Sequence, residues 1–263
     1  MSVVWRLFSR RWRFATLLVI LGAALCVRLG IWQLDRLEQR RAFNSRVTAQ
    51  LGQPPLKLEG QALQADLYNM EYRQVEARGQ YDFSQEITIL NQVNGSEWGV
   101  HLVTPLVLEG SPQAVLVDRG WIPAADYQSG AWSKYAEPGQ VTVRGVLRRP
   151  RQAAEVSGRA DPTPSPGQAL RAWNFVNIPA IARQTSHPLL GAYIQQAPDP
   201  SWSGLPARSQ PEIEITEGPH MGYALQWFTF AAILGLGYPF FVRRQERQAP
   251  AAAGASTPDK SPS

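Results

Sequence analysis

The fold is decided by His220–Arg244, HMGYALQWFTFAAILGLGYPFFVRR, in which Tyr223–Val242 contains no charged side chain. A helix rises about 1.5 Å per residue, so a run of this length spans the roughly 30 Å hydrocarbon core of a bilayer. Two arginines end the stretch, and the positive-inside rule assigns them to the cytoplasm. The sequence therefore predicts a transmembrane helix over residues 219–242, with His220 at its extracytoplasmic edge.

A second apolar run lies near the start of the sequence. Phe14–Leu34, FATLLVILGAALCVRLGIWQL, is interrupted only by Arg28 and follows four arginines. A signal peptide would have a shorter apolar core and a cleavage site of small residues, so we expect an uncleaved transmembrane helix over residues 14–34. The same charge rule assigns residues 1–13 to the cytoplasm. The two helices are thus predicted to form a hairpin with both termini on the cytoplasmic side.

Arg28 allows two interpretations. A charge within a membrane span is costly and is a functional candidate by default. The alternative is that its long side chain reaches the lipid headgroups, because Arg28 lies about two turns from the outer end of the span. Helical spacing places Arg28, Trp32 and Arg36 on one stripe of the first helix.

Charge distribution argues against a nucleic-acid partner. The formal net charge is +5, but residues 35–218 hold 19 acidic and 17 basic side chains, so the excess of positive charge lies near the two ends. This arrangement is typical of membrane topology rather than of a polyanion-binding surface. The only cysteine, Cys26, excludes an intramolecular disulfide. Residues 243–263 are predicted to be a disordered cytoplasmic tail.

Between the two spans, residues 35–218 are predicted to form one extracytoplasmic domain. A polar helical extension of the first span is expected to end near Gly52, and short β-rich segments separated by turn residues follow it. The predicted strands are Tyr72–Tyr81, Glu86–Val93, Val100–Leu108, Ala114–Ile122, Val141–Leu147, Trp173–Asn177 and Tyr193–Gln196. The predicted fold class is therefore an α+β membrane protein with a mainly antiparallel sheet.

The connections in this domain carry further predictions. Residues 82–84, 94–96 and 109–111 are short enough to be hairpin loops. Ala153–Gly167, rich in Pro, Gly and Ser, is expected to be a surface loop. Ile178–Arg183 is expected to be a short helix capped by Asn177.

The domain shows no motif for side-chain catalysis, and we expect no enzyme. The G-x-S-x-G nucleophile motif and paired histidines at helical ligand spacing do not occur. His101 within a strand and His187 before a proline are each interpreted as structural histidines. The adjacent charges Asp118 and Arg119 are likewise interpreted as a structural pair.

His220 has neighbours that set it apart. Helical spacing places His220, Tyr223, Ala224 and Trp227 on one face of the second span. Tyr and Trp gather at membrane interfaces without any ligand, so an interfacial belt is one interpretation. The other is an axial haem ligand, because a neutral imidazole offers a lone pair to iron. The residues alone leave both open.

Six segments in order resemble the surfeit locus protein 1 family, the cytochrome c oxidase assembly factors. They are GIWQLDRLEQR (30–40), RGQYDF (78–83), HLVTPLVL (101–108), VDRGWIP (117–123), WNFVNIPAIA (173–182) and HMGYALQWFTFA (220–231). The first is similar to the family pattern G-x-W-Q-x-x-R and the fourth to V-N-R-G-W-V-P, with Asp118 where Asn is common. The resemblance covers residues 29–241.

The resemblance implies a bacterial assembly factor of the inner membrane with a periplasmic β-rich domain, serving a haem-copper oxidase. It implies that haem a is bound and passed to the catalytic subunit of the oxidase, with His220 as the iron ligand. Trp32, Tyr223 and Trp227 would flank the porphyrin, and Arg36 or Arg28 would meet its propionates. Other expected partners are membrane lipids and haem a synthase.

Two rival functions remain. One is a scaffold that holds the oxidase subunit without a cofactor. The other is a membrane-tethered extracytoplasmic enzyme, which the missing nucleophile and metal motifs disfavour. Copper delivery is disfavoured as well, because it would normally need paired thiols or clustered Met and His.

Overall fold

The computed structural model describes residues 7–151, 161 and 169–253. The chain divides into two compact units. A helical unit comprises Met1–Ser45 and Ile215–Ser263, and a sheet unit comprises Arg46–Glu214.

Two long helical segments dominate the helical unit. Helix α1 covers Arg13–Leu51 and ends where Gly52 follows, as predicted. The second segment starts at His220, one residue after the predicted start, and continues to Ala253. Both segments are long and apolar enough to cross a membrane. Only 11% and 6% of their apolar windows are buried, which distinguishes them from the core helices of a soluble protein.

Contacts within the helical unit pair the two segments in antiparallel order. Arg41 contacts Glu217 and Gln33 contacts His220, whereas near the other end Thr16 Oγ1 lies 2.9 Å from the Tyr238 hydroxyl. Later residues of the first segment thus contact earlier residues of the second, as expected for two antiparallel helices. The prediction that both termini lie on the cytoplasmic side of a membrane stays a prediction.

The second segment is not a uniform α-helix. It consists of α-helix His220–Ala232, a π-helical turn at Ile233–Gly237 and α-helix Tyr238–Ala253. The π turn directly precedes Pro239, which has no N–H and would crowd the carbonyl of a regular preceding turn. Helix continues past the predicted end at Val242, because Arg, Gln, Glu and Ala are strong helix formers. Residues 254–263 of the predicted tail lie outside the described residues.

In the described part of the chain, eight strands form one sheet in the order β1-β2-β6-β8-β5-β4-β3-β7. The strands are β1 (Leu56–Lys57), β2 (Gln74–Tyr81), β3 (Ile87–Asn94), β4 (Glu97–Leu108), β5 (Ala114–Pro123), β6 (Gln140–Arg148), β7 (Ala172–Trp173) and β8 (Tyr193–Gln196). A further pairing joins β2 to β4 and closes the strands β2, β6, β8, β5 and β4 into a ring. Five pairings are antiparallel and three are parallel, so the sheet is mainly antiparallel.

The predicted hairpins at residues 94–96 and 109–111 are present, because β3 pairs with β4 and β4 with β5. The prediction of a hairpin at residues 82–84 is wrong. Strands β2 and β3 do not pair with each other in the described ladder but follow one another along the same edge of β4. Pro105 stands where that edge changes partner, and its missing N–H cannot continue a ladder.

The predicted strand Trp173–Asn177 is shorter in the structure, where β7 ends at Trp173. The N–H of Asn174 donates to the carboxylate of Asp161 instead of a strand partner. The predicted short helix is Ile178–Ile181, and the Asn177 side chain accepts from the N–H of Ala180 as its cap. The predicted loop Ala153–Gly167 lies outside the described residues, apart from residue 161.

Arg119 is fully buried in the sheet unit. A bulge between β4 and β5 makes it an extra residue, so that its guanidinium enters the core. There it donates to Glu86 at 2.9 Å and to Glu137 at 3.0 Å, and it lies 5.1 Å from the centroids of the Tyr81 and Phe83 rings. These partners agree with its interpretation as structural, and its ion pairs run to glutamates rather than to Asp118.

Candidate functional site

His220 makes one directed contact with the first helix. Its Nδ1 lies 2.8 Å from Oε1 of Gln33. His220 is the first residue of its helix and is half-buried, so the ring sits at the edge of the helix pair. Gly30, one turn before Gln33, allows close approach of the helices: a Cβ there would lie 2.7 Å from the Phe228 ring.

This hydrogen bond determines the tautomer of the imidazole. An amide oxygen only accepts, so Nδ1 carries the hydrogen and donates it to Gln33. The other ring nitrogen, Nε2, then keeps its lone pair in the neutral ring. Nε2 has no hydrogen-bond partner among the residues that the structure describes. His220 is therefore held as a potential metal ligand through Nε2.

Glu217 does not compete for the imidazole. Its two carboxylate oxygens accept from Nε and Nη2 of Arg41 at 2.8 and 2.9 Å, a bidentate pair. The hydrogen bond from Arg41 lowers the pKa of the Glu217 carboxyl. The nearest acidic residue in sequence is thus engaged with an arginine rather than with His220.

The aromatic side chains of the predicted site differ in how much of each is exposed. Tyr223 is 48% exposed, Trp32 is 45% exposed and Trp227 is half-buried, with its ring edge-on to Phe230 at 6.0 Å. Ala224, predicted on the same face, is buried. The face of the second helix that carries His220 is therefore buried at Ala224 and exposed at Tyr223.

The two arginines of the predicted site are both exposed. Arg36 donates to the side chain of Gln39 within its own helix at 2.9 Å. At about 100° per residue, Arg36 lies about 60° around the helix from Gln33, and Arg28 about 140°. No hydrogen bond or ring contact among the described residues joins Arg28, Trp32 or Arg36 to His220. Arg36 is thus the arginine on the side of the helix nearer to the imidazole.

Sequence reasoning missed Gln33, Arg41 and the role of Gly30. Gly30 and Gln33 face the second helix and Arg41 pairs with Glu217 just before it, while the buried Leu37 lies on the same stripe of α1. The spacing of Gly30, Gln33, Leu37 and Arg41 is the i, i+3, i+7, i+11 pattern of one helix face, which could have identified them.

A single histidine suits a metal that already has most of its ligands from another source. In the described ranges, no group of three or more His, Cys, Asp or Glu side chains is placed to hold a metal ion. A haem iron is held by its porphyrin and needs only axial ligands from the protein, and His220 can supply one. His220 therefore fits a haem better than a bare ion.

Comparison with known proteins gives one family across most of the chain. The family model described as "SURF1 family" matches residues 20–232. A SURF1-like protein of Monosiga brevicollis is 28% identical over 82% of this chain and 83% of its own length. Surfeit locus protein 1 of Mus musculus is 24% identical over 86% of this chain and 75% of its own. An uncharacterized SURF1-like protein of Mycobacterium tuberculosis is 27% identical over 95% and 90%.

Proposed function

The chain belongs to the SURF1 family, and from this membership we propose that it is a membrane-bound assembly factor for a haem-copper oxidase that binds haem a through His220. The family is consistent with a role in cytochrome oxidase assembly. The proposed role is to bind and deliver a cofactor and is not enzymatic.

One observation carries the haem proposal: the 2.8 Å hydrogen bond between Nδ1 of His220 and Gln33. Histidine ligands of metals almost always donate their other ring N–H to an acceptor, which fixes the orientation of the ring and makes it a better electron donor. Gln33 provides that acceptor. The pairing of Glu217 with Arg41 adds support, because it leaves Gln33 as the acceptor for the imidazole N–H.

The surrounding side chains have proposed roles in orientation. Tyr223 and Trp32 expose apolar ring surface on the two helices, and Trp227 lies one turn below Tyr223. Arg36, on the nearer side of α1, is proposed to bind a propionate, whereas Arg28 is proposed to reach the headgroups. Haem a, once delivered, would supply the oxidase with its electron-transfer and oxygen chemistry.

The location of the protein is proposed from its helices. Both are apolar enough to cross a membrane, and their outward surfaces are rich in exposed large hydrophobic side chains such as Leu18, Leu225 and Phe240. Arginines near residues 10 and 243 are expected on the cytoplasmic side of the inner membrane. The sheet unit would then be periplasmic, where the catalytic subunit of the oxidase and haem a synthase are the proposed partners.

The proposal is tested by the absorption spectrum of the full chain purified from cells that synthesise haem a. Wild-type protein is expected to carry haem a, and His220→Ala to lose most of it or to show a changed spectrum. His187→Ala removes a histidine from the sheet unit and is the matched control, with wild-type haem content expected.

Two results would contradict the proposal. Colourless wild-type protein that co-purifies with the oxidase subunit would support the scaffold role instead. Equal haem content and identical spectra in wild type and His220→Ala would remove His220 as the ligand.

A further inference from the structure

A polar cavity of about 250 Å³ lies on the sheet unit, far in sequence from His220. Its floor is a row of side chains across neighbouring strands. Gln195 of β8 pairs in register with Asp118 of β5, and His101 of β4 pairs with Ile89 of β3. Arg149 and Arg151, which follow β6, also line it.

The bulge that buries Arg119 also shapes this cavity. It shifts the register between β4 and β5, so that Asp118 meets His101 although their backbones are not directly paired. Nδ1 of His101 lies 2.9 Å from both carboxylate oxygens of Asp118. Asp118 is the only carboxylate among the described residues that line the cavity, and His101 engages it.

Two side chains in the cavity have a polar atom without a hydrogen-bond partner among the described residues. One is His101: its Nδ1–H donates to Asp118, and its unpartnered Nε2 carries a hydrogen only when the ring is protonated. The other is Tyr193, through its hydroxyl. Burial, with a further contribution from the nearby Asp118 charge, raises the pKa of Tyr193 to about 12, so the group stays an O–H donor.

The other polar groups of the lining include Gln195 and two arginines. Gln195 accepts from Arg148 at 3.1 Å and donates to the carbonyl of Ser209 at 3.0 Å. Arg149 donates to the carbonyl of Tyr68 at 2.8 Å and its Nε lies 3.7 Å from the Glu71 carboxylate, so its guanidinium is held in place at the rim. The Tyr193 hydroxyl is thus a donor that the described contacts leave available, beside a rim that carries arginines.

We propose that this cavity binds a small oxyanion of the phosphate class, with the Tyr193 hydroxyl and the Nε2–H of protonated His101 as donors and Arg149 and Arg151 at its rim. Its volume suits a phosphate or a phosphate monoester and is small for a larger cofactor. Arginine guanidinium groups are well suited to such anions. The proposal is independent of haem binding at His220.

Protonation of His101 makes the site sensitive to pH. Burial lowers the pKa of His101, but the Asp118 carboxylate raises it, and the net direction is upward. The imidazolium form presents Nε2–H to the cavity, so binding is expected to weaken as pH rises and this proton is lost. The titratable or charged groups that face His101 there are Asp118, Tyr193, Arg149 and Arg151, with Asp161 on the adjoining Asn174 backbone.

Calorimetric titration of the full chain in non-ionic detergent tests the proposal. Sulfate is the first probe, since its charge stays constant over the pH range used. Tyr193→Phe removes one hydroxyl and no described hydrogen bond, and it is expected to weaken sulfate binding about tenfold, as loss of a hydrogen bond to a charged group does. Tyr127→Phe, a matched change outside the cavity, should leave it unchanged.

The pH dependence of sulfate binding is tested with His101→Gln. Wild-type protein should bind sulfate more tightly at about pH 6 than at about pH 8.5, and the variant should lose this difference. Inorganic phosphate and glycerol 3-phosphate, titrated in parallel, distinguish a free ion from an esterified phosphate; Tyr193-dependent binding of either supports the site. Absence of saturable binding by all three probes, or equal effects of Tyr193→Phe and Tyr127→Phe, would overturn the proposal.

Discussion

At the scale of single residues, the central feature is the division of labour between the two nitrogens of His220. Nδ1 is used for orientation through Gln33, and Nε2 is left for a ligand. The sequence identified His220 from its position at the edge of a span and from the family resemblance. It could not identify its acceptor, because the two residues are 187 positions apart and only the packing of the helices brings them together.

Replacing Gln33 tests its role as a positioning residue. Gln33→Leu removes the acceptor at similar size, and we expect haem a affinity to fall about 10- to 100-fold, as for other partners of ligating histidines. Gln33→Glu keeps an acceptor and should retain binding. The readout is haem titration followed by absorption, which reports binding rather than oxidase activity.

The control is Gln226→Leu, which removes an exposed glutamine from the second helix. It should titrate like wild type. If Gln33→Leu and wild type bound haem a equally, Gln33 would have no positioning role even where His220 itself proved essential.

At the scale of elements, the helix pair depends on one close approach. Gly30 faces the Phe228 ring, whereas nothing lies within 4 Å of a Cβ at Gly235. Ala231 and Gly235 of the second helix have the small-x-x-x-small spacing that can let two membrane helices pack closely. The structure puts the tight contact at Gly30 instead, inside the stretch that carries the family resemblance.

Gly30→Leu is therefore expected to destabilise the helix pair by about 1–3 kcal/mol through overpacking. Thermal unfolding in detergent measures the effect, and Gly235→Leu is the control at an open position. Adding Phe228→Ala to Gly30→Leu should recover part of the loss, because it removes the clashing ring. Equal melting temperatures for the two glycine variants would refute this packing contact.

Most elements of the sheet unit could be predicted from sequence, whereas their pairing could not. Alternating apolar residues and turn residues located β2 to β6 and β8 to within a few residues. Strand β2 pairs with β4 and β6, which are not next to it in the sequence. The short connection at residues 82–84 therefore wrongly indicated a hairpin between β2 and β3. The two-residue strand β1 is too short to leave a periodic pattern.

At the scale of the whole molecule, stability should depend on pH through His101. Burial lowers the pKa of His101, but the charge of the Asp118 carboxylate and the hydrogen bond to it together outweigh burial, so the pKa in the folded chain lies above its ordinary value of about 6.5. A raised pKa stabilises the folded chain fully below the unfolded value, and the contribution is lost as pH rises through the folded value.

The free energy of unfolding of the sheet unit, measured by urea titration of the full chain, should fall as pH rises above about 6.5. His101→Gln should flatten this part of the curve. His187→Gln, in the same unit, serves as the comparison and should keep the fall. A pH profile that is the same in wild type and His101→Gln would show that the pair with Asp118 does not stabilise the fold.

The central claim, that His220 provides an iron ligand through a ring nitrogen, is tested most directly by chemical rescue. His220→Gly leaves space at the ligand position, and added imidazole can occupy it. We predict that this variant, purified from cells making haem a, lacks the wild-type haem spectrum and regains it with imidazole, whereas His187→Gly needs none. A His220→Gly protein with the wild-type spectrum in the absence of imidazole would contradict the account.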